Sequence, residues 1–239
     1  MDYDSDDDYS YGHTDLSSTP LIDAAQAKDL DRVRTLLANG ADINARDGQG
    51  QNALQAAASI HDNDEVLKLL IDSGADPNSR NPIRGTALEL AARANNTSAL
   101  RILLAAGAKC NIGRPLQEAA DVGKVDAVRM LLQAGADANP AEPGGMHGYP
   151  LQAAAQYGNA EVVQMLLDAG ANVDAVGGYH GSALQGAARY GREGIVRILL
   201  ERGADVDVRG GVYRSALESA VQRGHEGTAR ILREAGAKE

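Results

Sequence analysis

Residues 177–191 read GGYHGSALQGAARYG, and the reading of this glycine-rich stretch decides the fold. Such a run serves either as a loop that cradles phosphate or as a place where backbones must pass closely. Its core recurs along the chain as TPLIDAA (19–25), NALQAAA (52–58), TALELAA (86–92), RPLQEAA (114–120), YPLQAAA (149–155), SALQGAA (182–188) and SALESAV (215–221). Each copy is followed by an apolar run and a Gly-Ala pair. From the motif leucine to that glycine is 19 residues in six copies, as from Leu184 to Gly203, and 20 in one, Leu54 to Gly74. A period of roughly 33 residues marks stacked repeats, each burying its apolar face on the next.

Within one copy, Gly186, Ala187 and Ala188 are small enough to let a short helix lie close to its neighbour. The following GIVRILLERGA (194–204) places Ile195, Ile198 and Leu199 on one face of a second helix. Gly203 comes after its last turn, where a left-handed residue ends a helix. ADVDVRGG (204–211) is short and turn-rich, as a hairpin connector should be. The pattern resembles the ankyrin repeat, whose signature is T-P-L-H-x-A, with STPLIDAA the nearest copy. LQAAA behind a Gly-Gly pair is similar to the ankyrin arrays of fungal proteins. The resemblance implies an all-α ankyrin-repeat solenoid of helix–turn–helix repeats joined by hairpin-like connectors. Seven repeats are expected, at about 16–46, 47–80, 81–112, 113–143, 144–176, 177–209 and 210–239, after an acidic, disordered tail at 1–15.

Composition agrees with thin layers. The chain has 239 residues and neither Phe nor Trp, so one thick core built on large aromatics is not expected. Of its net charge of −10, the first 15 residues supply −6, from six Asp and no Lys or Arg. An acidic body offers no electrostatic basis for binding nucleic acid. A single cysteine, Cys110, excludes an internal disulfide. Neither a signal peptide nor a membrane-length apolar run is visible, which makes the chain an expected intracellular protein, cytoplasmic or nuclear, acting as a monomer.

Two connectors break the rhythm. From glycine to the next motif leucine is 14 residues in four of six cases, but 9 between Gly107 and Leu116 and 16 between Gly135 and Leu151. The hairpin at KCNIGR (109–114) is therefore expected to be truncated, leaving either loop drift or a notch for a ligand or partner. Charged side chains on the first and last copies, such as Asp31, Arg34, Arg230 and Arg233, read as the polar outer faces of a complete, capped array.

No chemistry-bearing motif emerges. Gly177–Gly181 lacks the βαβ context of a dinucleotide fingerprint, and Gly123-Lys124 is followed by Val125 where a P-loop needs Ser or Thr. Cys110 stands where other copies carry Ile43, Val173 or Val206, as a small hydrophobe would. The five histidines form no metal spacing, and His225 in RGHEG is expected to bond locally in the helix–helix turn. No catalytic residue, metal or cofactor is expected.

The resemblance implies a concave surface made from hairpin tips and first helices. Tyr149, Tyr157, Tyr179, His180, Arg189, Tyr190, Tyr213, Arg214 and Arg223 map onto it, and with them five of the eight tyrosines. Tyr and Arg dominate binding hot spots. The expected function is a non-catalytic scaffold that binds another protein there. Alternatives are a transcription coregulator acting through another protein, or a regulatory subunit of an enzyme or receptor complex.

Overall fold

The computed structural model describes residues 19–238, so the acidic segment 1–15 lies outside the described residues. Among the described residues fourteen α-helices follow one another in pairs. They are α1 (Pro20–Gln26) with α2 (Leu30–Ala38), α3 (Ala53–Ala58) with α4 (Asp64–Asp72), α5 (Ala87–Ala94) with α6 (Thr97–Ala105), α7 (Pro115–Asp121) with α8 (Val125–Gln133), α9 (Pro150–Tyr157) with α10 (Ala160–Asp168), α11 (Ala183–Arg189) with α12 (Glu193–Glu201), and α13 (Ala216–Gln222) with α14 (Glu226–Glu234). Odd-numbered helices stack in one layer and even-numbered helices in a second, each pair lying against the next. This is the all-α solenoid that the repeat pattern predicts.

The inner, odd-numbered helices have six to eight residues, too few to hold themselves in water. Packing forms them. Ala24–Ala25, Ala57–Ala58, Ala91–Ala92, Ala119–Ala120, Ala154–Ala155 and Ala187–Ala188 are all at most 1% exposed, so a methyl group is all that each seam accepts. Outer helices contribute the larger groups, among them Leu70, Leu103, Leu131, Leu166 and Leu199, each worth about 1.5–3 kcal/mol on burial. In α12 the deepest face is Ile195, Val196 and Leu199, whereas Ile198 is only half buried, because the outer helix is gripped by the inner layer and by both neighbours. Gly203, at φ +85°, ends α12: its N–H bonds the Leu200 carbonyl and that of Ala204 bonds the Leu199 carbonyl.

The connectors vary. Among the described residues only the second, ahead of α5, forms a two-residue ladder, β1 (Arg80–Asn81) against β2 (Gly85–Thr86). Those ahead of α9, α11 and α13 close on single bridges, Gly144 with Gly148, Gly177 with Gly181, and Gly210 with Tyr213. The connectors ahead of α3 and α7 have neither; the one ahead of α7 is five residues shorter, in keeping with its expected truncation. Neighbouring tips are sewn together, with Tyr179 N–H bonding the Met146 carbonyl at 2.8 Å and Val212 N–H the Tyr179 carbonyl at 3.1 Å. At Gly178 (φ +63°) a Cβ would lie 2.5 Å from the Gly148 nitrogen. The opening glycines thus serve close backbone approach. Gly186 does not: a Cβ there meets Gln156 Cβ at 3.5 Å, ordinary contact, so the packing does not require glycine.

In α3, α9 and α11 a buried amide at the third residue locks the next connector to the helix before it. Gln185 accepts the Ser182 N–H at Oε1 (2.9 Å), while its Nε2 donates to the carbonyls of Gly210 (2.9 Å) and Tyr213 (2.8 Å) in the next connector. Gln55 does the same with Asn52, Ser79 and Gly85, and Gln152 with Tyr149, Ala175 and Gly181. Where the following connector is truncated the residue is Glu89, and it accepts from two N–H groups, of Thr86 (2.6 Å) and Arg114 (2.8 Å). Helix turns are tied across the same seam: Asn63 donates to the Ala25 carbonyl, Asn96 to those of Ala58 and Ile60, and His225 meets that of Arg189 at 3.0 Å. His225 therefore bonds across the repeat boundary, not locally, because its ring projects from one turn over the end of the preceding inner helix.

Both isosteric exchanges should destabilise, against charge intuition. Gln185→Glu points an acceptor at two carbonyls and Glu89→Gln points a donor at an N–H, each costing about 1–3 kcal/mol in urea unfolding at pH 7. An unchanged midpoint in either variant would refute the lock. Gly186→Ala should stabilise by about 0.5–1 kcal/mol in the same assay.

Candidate functional site

The ends of the inner helices and the hairpin tips meet along one face. The last residue of α11, Arg189, sits at its centre. Its guanidinium carbon lies 4.9 Å from the Tyr213 ring centroid, 5.8 Å from that of Tyr190 and 5.9 Å from that of Tyr179, the range of cation–π attraction. Arg189 Nη1 donates to the Tyr213 hydroxyl, and Arg223 Nη2 donates to the same oxygen at 3.2 Å. His180 stands edge-on to Tyr179 (5.0 Å) and to Tyr190 (5.6 Å), with the Tyr190 hydroxyl 3.4 Å from its Nε2. One repeat earlier the motif recurs in weaker form: His147 lies 5.5 Å from Tyr157 and its Nδ1 is 2.6 Å from Gln156 Nε2.

Seven of the nine residues expected at a partner surface, Tyr157, Tyr179, His180, Arg189, Tyr190, Tyr213 and Arg223, thus share this face. Tyr149 is half buried at the N-cap of α9, where its ring packs beside Gly177 and lines a separate recess with Asn139, Pro140 and Asp174. Arg214 is exposed and lines another recess, of about 550 Å³, with Asp207, Arg209, Glu218 and Lys238.

Electrostatics follow from burial. Desolvation, helped by the positive charge of Arg189, brings His180 down to about 4, so it is neutral at pH 7. The hydrogen bond from Arg223, seconded by that from Arg189, holds the Tyr213 phenol below its ordinary value. Burial lifts Asp121 to about 6, with His147 opposing and Glu118 adding to the rise, and burial also raises Tyr157, with Asp121 contributing. Asp121 lies in a recess of about 550 Å³ with Arg93, Glu118, Val122 and Tyr157, where Arg93 and Glu118 form an ion pair of 2.5 Å. Sequence reasoning missed Asp121 and Glu118. Asp121 occupies the helix-end column that also holds Arg93, Gln156, Arg189 and Gln222, and an aligned reading of that column would have flagged its single acid.

Beside the truncated connector is a cleft of about 300 Å³ lined by Cys110, Arg114, Leu116, Pro140 and Pro150. Cys110 is half buried there and desolvation raises its thiol, the opposite of what a nucleophile needs. Among the described residues no cluster of three His, Cys, Asp or Glu could hold a metal ion, and no helix is long and apolar enough to cross a membrane.

Because Asp121 binds its proton more tightly folded than unfolded, what it contributes to stability is present at low pH and lost as pH rises through about 6. Asp121→Asn should therefore match the parent chain near pH 4 and exceed it at pH 7.5 by about 1 kcal/mol, after allowance for partial exposure. Urea unfolding at the two pH values measures the gap; a constant gap would contradict this account.

The comparisons with known proteins agree with this geometry. The family model described as ankyrin repeats (3 copies) matches residues 5–81, 21–114, 54–142 and 116–210. The mitochondrial disaggregase of Bos taurus is 48% identical over 58 residues, 24% of this chain, which spans 8% of that protein's length. The human ASB11 ankyrin repeat domain superimposes with a TM-score of 0.77 at 25% identity, over 93% of this chain and 100% of that one. The ankyrin repeat domain of Bcl-3, a member of the IkappaB protein family, gives 0.70 at 27% identity, over 90% and 98% of the two chains. With four overlapping matches along a stacked array of helix pairs, this chain belongs to the ankyrin-repeat family.

Proposed function

We propose that the chain is a non-catalytic scaffold that holds a partner protein on its concave face, with the main contact in the last three helix pairs. Ankyrin repeats are in general protein–protein interaction modules. One observation carries the reading to this face. Among the described residues, the large exposed apolar side chains Ile83, Val122, Met146, Tyr157, Val176, Tyr179, Tyr190, Val212 and Val221 lie on connectors and at or near inner-helix ends, and none lies on an outer helix. In a chain without Phe or Trp, such concentration of tyrosine around an arginine matches the make-up of binding hot spots. Tyr157 and Tyr190 are 48% and 44% exposed and close no core seam, so their rings are available to a partner.

The test is a photo-crosslinking residue at position 157, compared with one at Arg197 on outer helix α12, followed by mass spectrometry. A partner should be captured from position 157 and not from position 197. Tyr157→Ala with Tyr190→Ala should lower its affinity at least tenfold and shift the melting temperature by only about 3 °C, since each ring sits at the surface. Equal capture from both positions, or unchanged affinity of the double variant, would remove this face from consideration.

A further inference from the structure

The two arginines of the face point to what the partner brings. We propose that Arg189 and Arg223 together receive one carboxylate of the partner, an Asp or Glu side chain seated where the Tyr213 hydroxyl now stands. This deepens the reading of the face as a partner site and rests on it.

Two guanidinium groups converge on a single neutral oxygen, the Tyr213 hydroxyl. Guanidinium bonds are strongest to anionic acceptors, so a phenol is a weak substitute for the group this geometry suits. Arg189 has capacity to spare: its Nε is buried with no acceptor. Among the described residues neither arginine has a carboxylate within ion-pair distance, whereas Arg93 is neutralised by Glu118, Arg129 by Asp126 and Glu161, and Arg202 by Asp168. The nearest acid on the same helix as the Arg223 cap, Glu218, is committed to the Arg214 N–H at 2.8 Å and to Gln222 at 3.0 Å. A chain of net charge −10 therefore keeps an uncompensated positive pair on its most aromatic surface.

The charge of the guest follows from the helices. Arg189 ends α11 and Arg223 caps the C-terminus of α13. Both sites carry the partial negative charge of a helix C-terminus, which offsets part of the arginine charge and favours a monoanion over a dianionic phosphate. A planar carboxylate also matches the two-pronged guanidinium edge. The exposed rings of Tyr179 and Tyr190, stacked on Arg189, would cover the neighbouring side chains of the guest and exclude water from the pair.

The arginine Nε–Hε signals of the whole chain, followed by NMR at ~20 mM salt, test this. Three capped decapeptides serve as probes: (Gly-Glu)5, (Gly-Gln)5 and (Gly-phosphoserine)5. The Arg189 and Arg223 signals should move with the glutamate peptide and stay fixed with the glutamine peptide. Binding should weaken several-fold at ~200 mM salt. Arg223→Gln, at an exposed helix cap, should weaken it at least threefold without changing the melting temperature. Tyr213→Phe removes the competing oxygen and should tighten it about threefold. Unmoved signals, an equal response to the glutamine peptide, or weaker binding by Tyr213→Phe would overturn the proposal. Tighter binding of the phosphoserine peptide would overturn the choice of carboxylate. Failure here with the crosslink from position 157 intact would sink the carboxylate receptor alone; loss of that crosslink would sink the face itself.

Discussion

The connectors that follow α3, α9 and α11 each turn two backbone carbonyls toward the inner helix before them, and those carbonyls need a donor. The side-chain amide of the third helical residue supplies it. Gln55, Gln152 and Gln185 close their own helix starts with one atom and hold the next connector with the other. The alanine seams decide how closely the layers come together, and the amide decides in what register the connectors hang from them. The arrangement of the tyrosine face depends on that register, because Tyr179 and Tyr213 ride on connectors while Arg189 and Tyr190 end a helix.

The exceptions show that the rule is chemical. A glutamine is useful only where there are carbonyls to receive its N–H groups. At the truncated connector the group on offer is the Arg114 N–H, and the residue is Glu89. Gln117, whose own N-cap N–H has been given to Glu89, keeps its bond to the Gly144 carbonyl but leaves Oε1 with no partner. In the last pair Glu218 turns its carboxylate back to the Arg214 N–H.

Much of this was legible in the residues. The spacing of leucine and glycine located the helix pairs, and alanine doublets announced their close packing. The connector count foretold the missing hairpin ahead of α7. The amide lock was not legible, because glutamine in LQAAA reads as an ordinary helix former until the next connector is seen beside it. Residue type and repeat position placed Tyr157, Tyr179, Tyr190 and Tyr213 on one face, and there they lie. Tyr149 and Arg214 looked equivalent but stand at helix starts, where the side chain leans back on the neighbouring connector or toward the end of the array. That Arg189 is the hub could not be read at all, since its partners Tyr179 and Tyr213 belong to two different connectors and meet only through stacking.

The tip-to-tip bonds from Met146 to Tyr179 and from Tyr179 to Val212 join the last three connectors into one ribbon running along the molecule. No such bond reaches the short connector ahead of α7, which has no tip to offer. The last three layers therefore share a continuous backbone seam at their tips, added to the helix packing that joins every layer, and the tyrosines ride on it.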